Sequence, residues 1–224
     1  NLYSETGELI APIRSVHMRM LRFINGSLFQ RLRLTNYGRS TLPVSLILKL
    51  GADFKDIFEL RGIKRKNRGM HFPIRIEGNI IVFQYKGLDA ITRYTTVVCD
   101  PCPEEVKLID DAVWLYYVFN IQPKDRVYLY WCIIPSVEKI DVSDQASSGR
   151  ISVSFTNSAL EQIKSYNQWI EKCTRFESDR ININQMITQT ISDLWTLQTE
   201  YPHGKGIDAG VPWFATPVSY THLT

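Results

Sequence analysis

The sequence predicts a mainly β chain, an antiparallel β-sandwich, that gives way to helices in its last third. Three observations carry this. Two runs, Phe29–Leu34 and Val44–Leu50, alternate apolar and polar residues on either side of the polar turn Thr35-Asn36-Tyr37-Gly38-Arg39. Period two marks a strand with one face buried and one face wet. Eight or nine such runs fit into roughly the first 140 residues, the spacing of all-β sandwiches. After the small polar stretch Ser143–Gly149 the period becomes helical.

Taken in order, Asn1–Pro12 carries no clear pattern. Ser15–Ile24 and Leu28–Thr35 are predicted to pair as a hairpin, because Asn25-Gly26 accepts the positive φ required at both central positions of a type I′ turn. Arg31 and Arg33 fall on the wet face, opposite Leu32 and Leu34. Val44–Leu50 follows, with Val44, Leu46, Leu48 and Leu50 on one face. After the short connection Gly51–Lys55, Asp56–Arg61 alternates again, so these three runs are predicted to form a meander. Glu77-Gly78-Asn79 marks a second hairpin, joining Phe72–Ile76 to Ile80–Tyr85. Ile91–Val98 is β-branched and reads as a strand. Val113–Phe119 and Arg126–Ile134 are predicted to pair across Asn120–Asp125.

Two helices follow. Leu160, Ile163, Asn167 and Ile170 fall at helical spacing, and so do Ile183, Ile187, Ile191, Leu194 and Trp195. Ser178 or Asp179 is placed to cap the second helix, which ends near Glu200 because Pro202 and Gly204 break it. One helix pair cannot bury a core of its own, so the face carrying Ile187, Ile191 and Trp195 is expected to be poorly covered.

Composition narrows the function classes. The chain has 224 residues, 44% hydrophobic and 22% charged, ordinary for a soluble globular protein. A net charge of +3 does not point to nucleic acid. No apolar run approaches the roughly 20 residues that cross a bilayer, so neither nucleic acid nor membrane is expected as a partner. The 12% aromatic content suits a sandwich core and also suits stacking on sugars. Cys99, Cys102, Cys132 and Cys173 are too few for a disulfide framework and read as the reduced thiols of a cytoplasmic protein.

Several motifs carry little chemistry. Arg61–Arg68 holds five cations in eight residues; a solvated loop outweighs a phosphate site. Cys99-Asp100-Pro101-Cys102 has redox or zinc spacing, but no second pair completes a zinc site and no βαβ context supports redox work. His17, His71, His203 and His222 are scattered, and no metal or cofactor site is read. Asp110-Asp111 is a poor acid–base pair, because neighbouring side chains on extended chain point apart. The stretch Tyr201–Pro217 is more informative. Its glycines precede Pro212-Trp213-Phe214, and aromatic faces beside small residues suit a saccharide site. A packed loop with Trp213 and Phe214 as core accounts for the same residues equally well.

Two segments carry a family resemblance. Leu32-Arg33-Leu34-Thr35-Asn36-Tyr37-Gly38-Arg39, followed by a strand and Gly51–Gly62, resembles the N-terminal β-sandwich of the bacterial glycogen-debranching-enzyme-like (amylo-α-1,6-glucosidase) family. A helix ending in Thr199-Glu200, then Ala209–Pro217, resembles the opening of that family's (α/α)6 toroid catalytic domain. The resemblance spans roughly residues 13–217 and is strongest in Leu32–Gly62 and Ala209–Pro217. It implies a sandwich over residues 1–142, a linker with a helix over 143–175 and the start of a truncated toroid over 176–217. In the family the second motif continues Phe-Gly-Arg-Asp, whose Arg and Asp line a sugar subsite. Here Val218–Thr224 departs from it, and 218–224 is expected to be a non-native tail.

What the resemblance implies about function is hydrolysis of α-1,6-glucosidic branch points in glycogen-like glucans. That reaction needs a carboxylic acid and a carboxylate ~6.5–9.5 Å apart for inversion, which the family supplies from later toroid helices. The chain is therefore expected to hold no catalytic pair and no cofactor. Trp213 and Phe214 are its candidate substrate contacts, and its expected partners are an α-glucan and the missing toroid. Two alternatives stand beside this: a non-catalytic carbohydrate-binding sandwich, and a structural or interaction sandwich without sugar affinity.

Overall fold

The protein is described by a computed structural model over residues 2–3, 9–11, 15–139, 150–202, 204–208 and 210. Two short strands, β1 (Leu2–Tyr3) and β2 (Leu9–Ala11), pair with each other. The long hairpin follows: β3 (Val16–Asn25) pairs with β4 (Ser27–Asn36), from Val16↔Asn36 to Asn25↔Ser27. Gly26 alone sits at its tip, with φ +68°. Asn25 is not among the residues with positive φ, so the hairpin is as expected but its tip is not a type I′ turn, which needs positive φ twice.

At the end of β4 the chain leaves its sheet. Asn36 is 1% exposed and holds this turn by its side chain. Its Nδ2 donates to Ser40 O and to Ile121 O, both at 2.8 Å, and its Oδ1 accepts from Gly38 N at 2.7 Å. The following strand, β5 (Leu42–Leu50), therefore does not extend a meander from β4. It pairs antiparallel with β11 (Ala112–Ile121), from Leu42↔Ile121 to Leu50↔Val113. Asp56–Arg61, read as a strand, is the short helix α1 (Ile57–Leu60). A capping box explains this. Asp56 Oδ1 accepts from Phe58 N and Glu59 N at 2.9 Å, and Glu59 Oε2 accepts from Asp56 N at 3.2 Å.

The remaining strands complete two sheets. β6 (Met70–His71) and β7 (Arg75–Glu77) both pair with β8 (Ile80–Lys86), with Gly78 at φ +61° in the expected second tip. β9 (Thr92–Asp100) pairs with β8 on one side and with β12 (Arg126–Ser136) on the other. β10 (Glu105–Ile109) pairs with β11. The first sheet runs β3-β4-β12-β9-β8-β6, with β7 beside β8, and the second runs β10-β11-β5. β11 and β12, expected to pair, lie in different sheets: the Gln122–Asp125 connection crosses over, with Lys124 N bonded to Asn36 O at 2.8 Å and Asn36 N to Asp125 O at 3.0 Å.

Between the sheets lies the main core. Leu32, Leu34, Ile81, Phe83, Val97, Cys99, Leu129 and Trp131 face Val113, Leu115, Tyr117 and Ile121. The outer face of the larger sheet is not the wet face that alternation implied. Ile151 and Phe155 of α2 (Arg150–Ile170) form a second core with Phe29, Ile80, Val98 and Cys132. Phe155 meets Phe23 edge-on at 5.0 Å and Tyr130 at 5.5 Å, and Arg31 stands 5.2 Å over its ring. This cover explains why Thr96–Asp100 are all buried instead of alternating.

The chain divides into two units, Asn1–Phe54 with Arg65–Ala159, and Lys55–Lys64 with Leu160–Thr224. In the second, α3 (Ile181–Thr196) starts at Arg180, which makes no side-chain cap. Ser178 and Asp179 do not cap it. Instead Ser178 N donates to Asn184 Oδ1 at 2.8 Å and Asn184 Nδ2 donates to Ser178 O at 2.9 Å. Ile187, Ile191 and Trp195 are half-buried, neither bare nor fully covered, and Trp195 meets Tyr166 edge-on at 5.3 Å. The helix ends at Thr196, and Gln198–Tyr201 (β13) pairs with Gly204–Ile207 (β14). Among the described residues no helix is long and apolar enough to cross a membrane.

Candidate functional site

The features that mark a site in the first unit begin where β5 ends. In the connection Gly51–Phe54, Phe54 takes φ +47°. A bulky aromatic side chain is a genuine outlier in the left-handed region, costing of order 1–3 kcal/mol, and persists only where its surroundings hold it. Those surroundings are rings. Phe54 stacks on Tyr85 at 5.2 Å with the planes 12° apart, and meets His71 at 5.8 Å. His71 and Tyr85 are paired across β6 and β8, with ring centroids 4.9 Å apart.

A second tie closes the arrangement. Arg68 Nη2 donates to Asp53 O at 2.6 Å, and Gly69 N donates to Tyr85 Oη at 2.8 Å. A Cβ at position 69 would stand 2.0 Å from Lys86 O and 2.8 Å from the Tyr85 ring. Only glycine lets the backbone approach this closely. The tyrosine is therefore held from behind while Phe54 and His71 face open space.

That space is a cleft of about 1180 Å³, ample for a small-molecule or oligomer site, which typically measures about 300–1,000 Å³. Phe83 and Thr95, in register on β8 and β9, line it from the larger sheet, and Leu108 of β10 lines it from the smaller one. Asp53, Arg68 and Asp111 are its charged residues, and Gln84 adds an amide. Asp110 and Asp111, discounted above as an acid–base pair, form the two-residue tip of the β10–β11 hairpin. Both have positive φ, 48° and 58°, as a type I′ turn demands.

The other candidates resolve differently. Burial pushes the Cys99 thiol up to about 12, while Cys102 is exposed and neither is in a disulfide. A thiol held neutral in a core is a poor nucleophile and a poor ligand. Among the described residues no group of three His, Cys, Asp or Glu side chains is placed to hold a metal. The residues of Arg61–Arg68 are exposed, as a solvated loop would have them. Trp213, Phe214 and His203 lie outside the described residues. Of the stretch that leads to Trp213, the structure shows Asp208 buried in the second unit. Its carboxylate accepts from Tyr201 Oη and, at 2.8 Å, from Thr199 Oγ1.

No sequence signal marks Phe54, His71 and Asp53 as one constellation. Asp53 and Phe54 are neighbours, but His71 lies 17 residues further on, in another strand, and Phe54 lacks the Gly or Asn that flags positive φ. The one signal was that Gly51–Phe54 falls inside the first resembling segment.

The family described as the N-terminal domain of (some) glycogen debranching enzymes matches residues 1–132. The chain belongs to that family. Most of the sandwich of this debranching-enzyme domain, including every residue named in the cleft, falls within the match. Two solved structures are weakly similar to the chain. One, described as "Putative kojibiose phosphorylase from human microbiome", is 12% identical at a TM-score of 0.41, over 82% of this chain and 22% of that one. A polysaccharide lyase is 13% identical at a TM-score of 0.41, over 65% of this chain and 24% of that one. The chain thus spans less than a quarter of either protein, and likeness at this level carries no argument. No curated protein matches the chain.

Proposed function

We propose that the chain is the non-catalytic N-terminal part of a glycoside hydrolase that cleaves α-1,6-linked glucose at branch points of glycogen-like glucans. The observation that carries this is the family match over residues 1–132. In this reading residues 1–142 are the sandwich, 143–175 a linker with its helix, and 176–217 the start of a helical toroid that supplies the chemistry. Trp213 and Phe214 stack on the substrate at that toroid's opening. The four free cysteines accord with action in the reducing cytoplasm.

The chemistry of the cleft supports a binding role over a catalytic one. Its two carboxylates, Asp53 and Asp111, are exposed to water. A general acid kept protonated at neutral pH needs a desolvated setting. Positioned acid and base groups contribute about 10²–10⁴-fold each, so a chain without them releases sugar no faster than background. The test is glucose release from a branched limit dextrin by this chain and by the whole enzyme that contains it. Release by the whole enzyme alone is the expected result. Release by the chain, abolished by replacing one of its own acidic residues, would overturn the proposal.

A further inference from the structure

We propose that the cleft lined by Phe54, His71 and Asp111 is itself a binding site for a linear α-glucan segment, an accessory site that works without a catalytic domain. The class of ligand rests on the function proposed above; the location rests on the geometry. Phe54 and His71 present ring surface to the cleft, and Tyr85 backs them. Flat rings match the C–H faces of a pyranose, and fixed rings lose little freedom when a ligand arrives. The positive φ of Phe54 and the absent Cβ at Gly69 show that this wall is built into the backbone.

The polar groups fit a neutral polyol. Asp111 offers acceptors, and Gln84 and Thr95 offer both donors and acceptors. A sugar with adjacent hydroxyls uses donors and acceptors side by side. Two carboxylates against one guanidinium give no positive field, which turns away phosphate and other polyanions.

Competing surfaces of the sandwich are less suited. The outer face of the smaller sheet carries Trp114 and Tyr116, but Lys49 stands 5.2 Å over the first ring and Lys107 stands 4.8 Å over the second. Those ring faces are already occupied. Along β3, Met18, Met20 and Ile24 are exposed but present no aromatic ring to a sugar face.

The experiment titrates the full 224-residue chain with maltoheptaose by calorimetry, beside cellohexaose, whose β-1,4 linkage gives a flat ribbon in place of a curved chain. Maltoheptaose is expected to bind, and cellohexaose to bind at least tenfold more weakly. His71→Ala is expected to weaken maltoheptaose by about fivefold to tenfold, the worth of one aromatic contact. Asp111→Asn weakens it as well, and Tyr116→Ala changes it by less than twofold. His71 and Asp111 are exposed, so both variants keep the fold, which circular dichroism checks. No binding at millimolar maltoheptaose overturns the site. So does a loss with Tyr116→Ala in place of His71→Ala, and equal affinity for cellohexaose overturns the α-glucan assignment. If the whole enzyme hydrolyses limit dextrin while the chain binds nothing, the accessory site fails and the proposed function stands.

Discussion

Replacing Asn36 by alanine tests the account of how the two sheets are joined. Three hydrogen bonds of 2.7–2.8 Å disappear together. The partners differ in what they lose. Ser40 is exposed and Gly38 half-buried, so water replaces part of what they lose, and each costs about 0.5–1 kcal/mol. The bond to Ile121 O is buried, and a buried carbonyl left without a donor costs about 1–3 kcal/mol. The sum is about 2–5 kcal/mol, a large share of a typical domain's 5–15 kcal/mol. Urea unfolding followed by the strand signal in circular dichroism is the assay. With an m-value of about 2 kcal/mol/M, the midpoint falls by about 1–2.5 M. Asn36→Asp is expected to be worse than alanine, because it keeps the acceptor for Gly38 but sets carboxylate oxygens against two carbonyls. A loss under about 0.5 kcal/mol for Asn36→Ala, the range of ordinary surface changes, would refute the reasoning.

Three further outcomes follow from the packing. Phe155→Ala removes the ring that covers the outer face of the larger sheet and is expected to cost about 3–5 kcal/mol, read as a lower urea midpoint with greater protease cleavage in α2. Gly69→Ala drives a Cβ to within 2.0 Å of Lys86 O, and a loss of about 1–3 kcal/mol is expected, seen as a lower Tm with faster hydrogen exchange at β6. Burial raises Cys99 from 9.0 to about 12 and Cys132 from 9.0 to about 11. The unfolded thiols ionise from about pH 9, so the stability these groups contribute is intact below that pH and is lost as pH rises through 11 and 12. At neutral pH only Cys102 and Cys173 are expected to react with an alkylating agent in the folded chain, read by mass spectrometry, and early labelling of Cys99 would contradict its burial.

The strands were legible because alternation is a local signal. Phe29–Leu34 and Val44–Leu50 fall within strands of the structure, and Ile91–Val98 overlaps Thr92–Asp100 in all but its first residue. Their partners were not legible. The bond from Asn36 to Ile121 joins residues 85 apart in sequence, and that bond helps send β5 to the other sheet. Arg31 and Arg33 read as wet because nothing near them in sequence announces Phe155. Asp56–Arg61 alternates as a strand would, yet Asp56 and Glu59 have capping-box spacing, and in so short a run the hydrogen bonds of the cap decide. Gly26 and Gly78 marked their turns because glycine readily takes the positive φ that a tight turn between two strands requires. Phe54 carries the same conformation with no such mark, so half of the cleft was invisible until the fold brought His71 and Tyr85 beside it.

In the proposed division of labour, the sandwich holds glucan and the chemistry belongs to another domain. Steady-state kinetics of the whole enzyme on a branched limit dextrin, with His71→Ala and Asp111→Asn combined, tests it most directly. Loss of binding without loss of chemistry raises KM and leaves kcat unchanged. KM is expected to rise by more than about tenfold, the product of two modest losses in binding, with kcat within twofold of the unaltered enzyme. A collapse of kcat at unchanged KM would place reacting groups in the sandwich and contradict it.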